Sequence, residues 1–185
     1  MTYYGGKELS ASFRTVRGNT ITIAEDIPES QYDFRAAPDT RTIRQTLVHI
    51  ALIPSFSFLV HDDNLSRGGK VDDLAKVNFP ELMQRVGAEE AKPRDKPATI
   101  ALLQSEGERF ASFLEGLSDS FLAESVAMPP GAEPATKTRF EMLLAPKEHE
   151  MHHRGQLMML QRMVGVVPHL TRQMQERMAR AASAR

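Results

Sequence analysis

Apolar residues recur at intervals of three and four positions in four separate stretches, and this pattern constrains the fold of the chain most strongly. Such spacing places the apolar side chains on one face of a helix. It predicts helices at about residues 9–27, 41–61, 97–117 and 138–164, separated by connections that contain proline or glycine. Four long helices with one apolar face each bury those faces against one another. The pattern therefore predicts an all-α fold, a four-helix bundle.

The connections between these helices differ in length. A polar stretch at residues 62–96 joins the second helix to the third as a long crossover connection, with one short helix expected near Pro80–Val86. A short amphipathic C-terminal helix is expected from Leu170 to Ala182, and its apolar face could cap the bundle or join a dimer. Strand signals are too few to predict a sheet. With 185 residues, the chain is expected to form a single domain, residues 1–185.

Composition excludes several kinds of chemistry and partner. The chain has no cysteine, which removes thiolate nucleophiles, cysteine metal ligands and disulfides. Its formal net charge of −1 gives no overall attraction to nucleic acid or to an anionic membrane. The N-terminus lacks the apolar core of a signal peptide. We therefore expect a cytoplasmic protein that binds a small-molecule substrate, and neither nucleic acid nor membrane.

Three histidines lie on the predicted apolar stripes of two helices. At about 100° per residue, His153 is about 40° from His149, and both fall at the centre of the stripe on the fourth helix. His49 lies on the stripe of the second helix. A buried polar group without a partner costs about 1–3 kcal/mol. Neighbouring carbonyls or hydroxyls could satisfy each ring, but one metal ion would satisfy all three. We therefore predict a divalent metal site at these residues.

Two further side chains are candidates for chemistry at that site. Three imidazoles leave one position of a tetrahedral metal open, which is typical of catalytic sites. Glu150 is a candidate general base, although it lies about 100° from His149 on the helical wheel and could equally be a surface carboxylate. Gln156 faces the predicted site, where it could bind substrate, orient a ligand, or form an interhelical hydrogen bond. Zinc, nickel, copper and iron all suit three imidazoles, so spacing does not identify the metal.

The remaining three histidines of the chain are predicted to lie outside the site. His152 could replace His153 as a ligand, but the wheel places it near the edge of the stripe, at the surface or beside a ligand. His61 lies off the stripe at the end of the second helix, and His169 lies in a turn. We expect both to be solvated.

The segment His149-Glu-Met-His-His153 also matches the H-E-x-x-H motif of zinc proteases, in which the glutamate is the general base. The longer metzincin motif needs glycine and histidine where this chain has Gln156 and Met159. Proteases also need a sheet edge for their substrate, which the sequence does not predict. His49, on its own core helix, favours a site inside a bundle instead.

Two segments resemble the DinB/YfiT-like family. His149-Glu-Met-His-His-Arg-Gly-Gln156, followed by an apolar helix end and Gly165-Val-Val-Pro168, resembles the signature of that family's final helix. Thr42–Ala51 resembles the signature of its second helix. The order of segments fits over nearly the whole chain. The resemblance implies a four-helix bundle that usually holds zinc, nickel or a similar ion, often in a homodimer, with ligands matching His49, His149 and His153.

The resemblance also implies an activity. Characterised members of the family include S-transferases and isomerases that depend on low-molecular-weight thiols, while many members have no known activity. Because this chain has no cysteine, a thiol would have to be a co-substrate. A thiol or a water molecule in the open metal position would become a nucleophile. The predicted function is thus a metal-dependent thiol transferase. The alternatives are a metal-dependent hydrolase and a non-catalytic bundle that binds metal or senses a small molecule.

Two prolines lie close to the predicted ligands. Pro54 follows His49 in the second helix, and Pro146 lies one turn before His149 in the fourth. Proline removes a backbone donor and kinks a helix, so both are expected to affect the geometry of the ligands.

Overall fold

The computed structural model describes residues 4–62 and 71–183, and its long helices form the predicted four-helix bundle. The bundle consists of α1 (Gly6–Asp26), the consecutive pair α2 (Ile43–Leu52) and α3 (Pro54–His61), α5 (Lys96–Glu115) and α7 (Arg139–Met163). The connections carry α4 (Phe79–Glu90), α6 (Asp119–Leu122), β1 (Ser125–Ala127) and β2 (Thr136–Thr138), and α8 (His169–Ser183) ends the described chain.

The core lies where the four bundle helices meet. α1 packs along α5, α2 packs against α5 and α7, and α7 closes the bundle against α1. Ile23, Leu47, Leu103 and Leu157 contribute to one buried cluster with a residue from each bundle helix. A second cluster is centred on Phe110, whose ring meets other aromatic rings edge-on. The apolar periodicity of the sequence therefore marks the helix faces that are buried.

The second helical stretch begins and breaks at specific residues. Thr42 caps α2, because its hydroxyl accepts a hydrogen bond from the backbone N–H of Gln45. Pro54 is the first residue of α3, a position that tolerates a missing N–H donor. Ile53, between the two helices, keeps helical backbone angles and still donates to the carbonyl of His49 at 3.1 Å. The single helix predicted for this stretch is therefore divided at Ile53 into two consecutive helices.

The other proline interrupts its helix even less. Pro146 is buried inside α7, which continues as one helix from Arg139 to Met163. Neither proline separates a ligand histidine from its helix, so their expected effect on the site is small.

The stretch Ile43–His61 is the one segment of residues 4–62 and 71–183 that is long and apolar enough to cross a membrane, with a mean hydropathy of 1.4. Most of it, 61%, is buried inside the bundle. Burial by the other helices accounts for its apolar character, so it is a core segment.

Two features outside the bundle differ from the sequence prediction. A small sheet is present, because β1 and β2 pair antiparallel, with Val126 opposite Lys137. The strands are only three residues long, too short for a periodic signal. In α8, Met174 and Met178 are 60% and 66% exposed, so this part of its apolar face does not cap the bundle. Dimer formation through that face stays a prediction.

Candidate metal centre

His49 of α2 and the pair His149 and His153 of α7 converge at one point between the two helices. One ring nitrogen from each lies within 4.8 Å of the others. The Nε2 atoms of His149 and His153 are 2.9 Å apart. The ring of His49 meets that of His153 edge-on, with 4.9 Å between the centroids. The structure thus brings together all three residues predicted as ligands.

Neighbouring side chains indicate that Nδ1 is the hydrogen-bond donor in His49 and in His153. The side-chain oxygen of Gln156 lies 2.7 Å from Nδ1 of His153, and an amide oxygen only accepts, so Nδ1 is the donor. A carboxylate oxygen of Glu90 lies 2.6 Å from Nδ1 of His49, which is a donor for the same reason. When these two rings are neutral, Nε2 of each carries a lone pair. Such outer contacts fix and orient the imidazole ligands of metal sites.

Burial favours the neutral rings of His149 and His153 at physiological pH. Burial lowers the pKa of His153 to about 4, with the other histidines reinforcing burial and the Gln156 contact opposing it. Burial also lowers the pKa of His149, and the nearby His49, His152 and Arg41 act in the same direction. Metal binding requires the neutral imidazole, so the protein holds these two rings in the form a metal needs.

The buried face of α7 is rotated from the predicted one. His149 was expected at the centre of that face, but its side chain is exposed, while His153 is buried. Glu150 and Gln161 belong to the buried face, with 1% and 0% of their surface exposed. For Glu150 a place at the surface was expected, because a carboxylate is seldom fully buried unless it is paired.

Glu150 takes no part in the histidine cluster. Both of its carboxylate oxygens face Arg17 of α1, whose Nε lies 3.0 and 3.1 Å from them. The remaining N–H groups of Arg17 donate to the carbonyls of Leu103 at 2.8 Å and Ile50 at 3.1 Å. The alternative expectation, that Glu150 is a surface carboxylate, is therefore wrong. The candidate base is instead held in a buried ion pair, with no oxygen directed at the three histidines.

Gln156 and His152 flank the cluster. Gln156 orients His153 within the same helix rather than forming a bond between helices, and its amide nitrogen lies 3.2 Å from Nε2 of His152. His152 is exposed and does not belong to the group of converging nitrogens. Its predicted place, at the surface beside a ligand, is confirmed.

Two histidines predicted as solvated are buried. His61 is 2% exposed, and its Nδ1 accepts a hydrogen bond from Nη1 of Arg139 at 3.1 Å. Burial, helped by the charge of Arg139, lowers the pKa of His61 to about 3. His169 is 4% exposed, with Nε2 3.0 Å from Oδ1 of Asn19. Both predictions were wrong because each partner comes from a distant part of the chain.

Sequence reasoning missed the contribution of the crossover connection. Its helix α4 packs against α2 and carries Glu90 to His49. Between α4 and the bundle lies a cavity of about 440 Å³, with His49 and His149 in its wall. A second cavity, of about 770 Å³, reaches His153 and Gln156 from the other side. No sequence motif predicts the Glu90 contact or these cavities, because they depend on where the polar crossover connection packs against the bundle.

The donor set fits a divalent metal. Nitrogen ligands at about 2.0–2.1 Å in a tetrahedron lie roughly 3.3 Å apart, a value between the 2.9 Å and 4.8 Å found here. Small side-chain rotations would make the distances equal. No fourth histidine or acidic ligand belongs to the group among the described residues, so one position would face the cavities. The Glu90 and Gln156 contacts supply the outer hydrogen bonds that such sites use.

Comparisons with solved structures support the fold. The structure is similar to that of a DinB-like protein, YjoA, from Bacillus subtilis, with 18% identity, a TM-score of 0.60, and coverage of 85% of this chain and 92% of that one. For YfiT from Bacillus subtilis the identity is 18%, the TM-score 0.62 and the coverage 90% and 91%. For an uncharacterized protein from Clostridium difficile 630 these values are 16%, 0.67, 89% and 99%. No curated protein matches the chain significantly.

At these identities the likeness to solved structures shows the fold. YfiT is described as "a probable metal-dependent hydrolase with an unusual four-helix bundle topology". The sequence model of the DinB superfamily matches residues 12–157, which include most of α1, all of α2, α3 and α5, and all three clustered histidines. Because this model matches well over half of its length, the chain belongs to the DinB superfamily.

Proposed function

We propose that this protein is a metal-dependent enzyme that binds a divalent ion, zinc or nickel, through His49, His149 and His153. The observation that carries the proposal is the convergence of three imidazole nitrogens within 4.8 Å beside a cavity large enough for a small molecule. When bound, the metal supplies the Lewis acidity that turns a thiol or a water molecule into a nucleophile at neutral pH.

The residues of the chain prepare the site for that chemistry. Glu90 and Gln156 hold the Nδ1 protons of His49 and His153, which leaves both Nε2 lone pairs for the metal. Apolar side chains of α3, α4 and α7 line the adjoining cavity and exclude water from a bound substrate.

A thiol transferase is the activity that the site supports best. The two candidate bases are both engaged, Glu90 with His49 and Glu150 with Arg17. Hydrolysis commonly uses a free carboxylate to move protons, as in the H-E-x-x-H enzymes. A metal-bound thiol is deprotonated outright and needs no such base. Since the chain has no cysteine, the thiol is a low-molecular-weight co-substrate.

A metal-dependent hydrolase is the second candidate, supported by the description of YfiT and by the solvent-exposed side of the cluster at His149. A non-catalytic metal-binding bundle is less well supported. It would be favoured by a fourth protein ligand and a closed site. Among the described residues no fourth ligand joins the cluster, and a cavity adjoins it.

The first test is metal content. The untagged protein, purified without added metal and then incubated with zinc or nickel, is analysed by mass spectrometry beside His49→Ala, His153→Ala and the control His152→Ala. We expect about one ion per chain in the parent and the control, and loss of that ion in the other two variants. A parent that stays empty would contradict the proposal.

The activity is tested on the metal-loaded protein. A panel of cellular thiols is offered with the electrophile monochlorobimane, and a panel of simple esters and amides is offered in parallel. Thiol transfer that disappears in His49→Ala supports the transferase. Hydrolysis without thiol transfer would favour the second candidate, and neither activity from a fully loaded protein would favour the binding protein.

A further inference from the structure

The cavity beside the histidine cluster is lined mainly by apolar side chains, and its charged lining residues are the exposed Arg41 and Glu90, which is bonded to His49. We propose that the electrophilic substrate is a small molecule with an apolar part about the size of an aromatic ring and one anionic group, which pairs with Arg41. This inference rests on the proposed function, because it takes the histidine cluster as the place of reaction.

The body of the cavity suits an apolar group of limited size. Its volume of about 440 Å³ is within the usual range for small-molecule sites. Leu52 and Ile53 form one wall, and Leu82 and Val86 of α4 form the wall opposite. Phe56 adds an aromatic ring to the lining, and this ring stacks on that of Phe79 with 5.6 Å between the centroids. Because His49 and His149 also line the cavity, an occupant lies against the proposed metal site.

Arg41 supplies the charge at the mouth. It immediately precedes the cap of α2, its side chain is exposed, and it lines this cavity together with the two others nearby. In residues 4–62 and 71–183 no carboxylate forms an ion pair with it. Glu90, which lines the same region, is bonded to His49 instead.

The position of this cation indicates what it binds. A guanidinium presents several N–H donors in a planar fork that matches a carboxylate or phosphate. An arginine with no acidic partner, next to an apolar cavity, leaves those donors for a ligand. An anion held at the mouth would fix the orientation of the apolar part, and so the atom that faces the histidines. Substrates without the anionic group would bind less tightly and less uniformly.

The test uses 4-phenylbutyrate as the probe, with the neutral 4-phenylbutyramide as its isostere and acetate as the anion without a body. Binding is measured by isothermal titration calorimetry on the zinc-loaded and on the metal-free protein, because a carboxylate could also bind the metal. The variants are Arg41→Gln, Arg41→Lys and Arg85→Gln. Arg85 is the matched control, since it is exposed on α4, loses the same charge, and lines none of the three cavities.

We expect the parent to bind the acid about tenfold more tightly than the amide in both forms, and acetate weakly. Arg41→Gln should remove that preference, Arg41→Lys should keep part of it, and Arg85→Gln should keep all of it. A filled cavity in Val86→Phe should weaken the acid and the amide alike.

The proposal would be overturned by equal binding of acid and amide by the parent, by an unchanged preference in Arg41→Gln, or by a preference found only with zinc present. Failure of the parent to bind any probe would also overturn it. The metal-free titrations separate these outcomes from failure of the proposed function, which is judged by metal content and turnover.

Discussion

Arg17 and Glu150, 133 positions apart in the sequence, form an ion pair in the centre of the bundle. Glu150 lies between the ligands His149 and His153 on α7, and its partner is on α1. Side chains of a helix point in directions fixed by the helix itself. The pair therefore fixes the rotation of α7 about its axis and, with it, the side on which both histidines meet His49.

Breaking this pair is expected to be costly. Glu150→Ala leaves the guanidinium of Arg17 buried and uncompensated, which should lower the free energy of unfolding by about 3–5 kcal/mol. Replacing both residues, in Arg17→Leu with Glu150→Leu, should recover most of the loss, because no charge stays unpaired. Urea denaturation measures both. Glu148→Ala, at an exposed position of the same helix, is the control and should change stability by less than about 0.5 kcal/mol. A Glu150→Ala loss as small as that of the control would contradict the argument.

The same pair marks the limit of sequence reasoning about the fold. The helix positions and the crossover follow from local spacing, and the structure agrees with them. The three histidines predicted as ligands also lie together. The rotation of α7 about its axis cannot be predicted from local spacing, because the burial of Glu150 depends on Arg17 and no local pattern links the two residues. A helical wheel treats a charged residue as solvated, so it rotated the predicted face toward His149. A buried acid can be recognised only with its partner.

The site is subject to a similar limit. The i, i+4 spacing of His149 and His153 is local and was readable, but the contacts of Glu90 and Arg41 depend on how the crossover packs against α2. A polar connection carries no periodicity that fixes such packing. Identifying site residues that depend on a connection therefore requires the structure, whereas candidate ligands on regular helices can be identified from their spacing.

Glu90 should matter for metal affinity although it is not a ligand. In Glu90→Ala the Nδ1 proton of His49 loses its acceptor, and loss of such a partner typically weakens metal binding by about 10- to 100-fold. Competition with a chelator measures the dissociation constant for zinc. Glu89→Ala is the matched control, because that neighbouring carboxylate pairs with Lys92 and Arg94. If both variants bind zinc like the parent, Glu90 does not orient His49.

Gly107 should be required by the same ion pair. A Cβ atom at this position would lie 2.7 Å from Cγ of Arg17, which is held at its far end by Glu150 and cannot easily move. Gly107→Ala should therefore destabilise the protein by about 1–3 kcal/mol. At Gly18 and Gly155, also within helices, a Cβ meets nothing within 4 Å. There the change to alanine should stabilise by about 0.4–1 kcal/mol. Thermal or urea unfolding of the three variants compares them directly, and stabilisation by Gly107→Ala would show that Arg17 can shift.

His61 should make stability depend on pH. Burial holds its pKa at about 3 in the folded protein, well below the value near 6.5 expected in the unfolded chain. The unfolded chain then binds the extra proton first as the pH falls. The contribution of neutral His61 is complete above about pH 6.5 and is lost progressively toward pH 3, at up to about 1.4 kcal/mol per pH unit. His61→Gln keeps an oxygen to accept from Arg139 but does not titrate. In urea denaturation of the metal-free protein, the free energy of unfolding should fall less between pH 6 and pH 4 in this variant than in the parent. The difference should correspond to the uptake of about one proton on unfolding. The histidines of the metal site also titrate, but they are common to both proteins, so the difference isolates His61. Parallel curves for parent and variant would mean that His61 becomes protonated in the folded state, and that Arg139 moves to accommodate it.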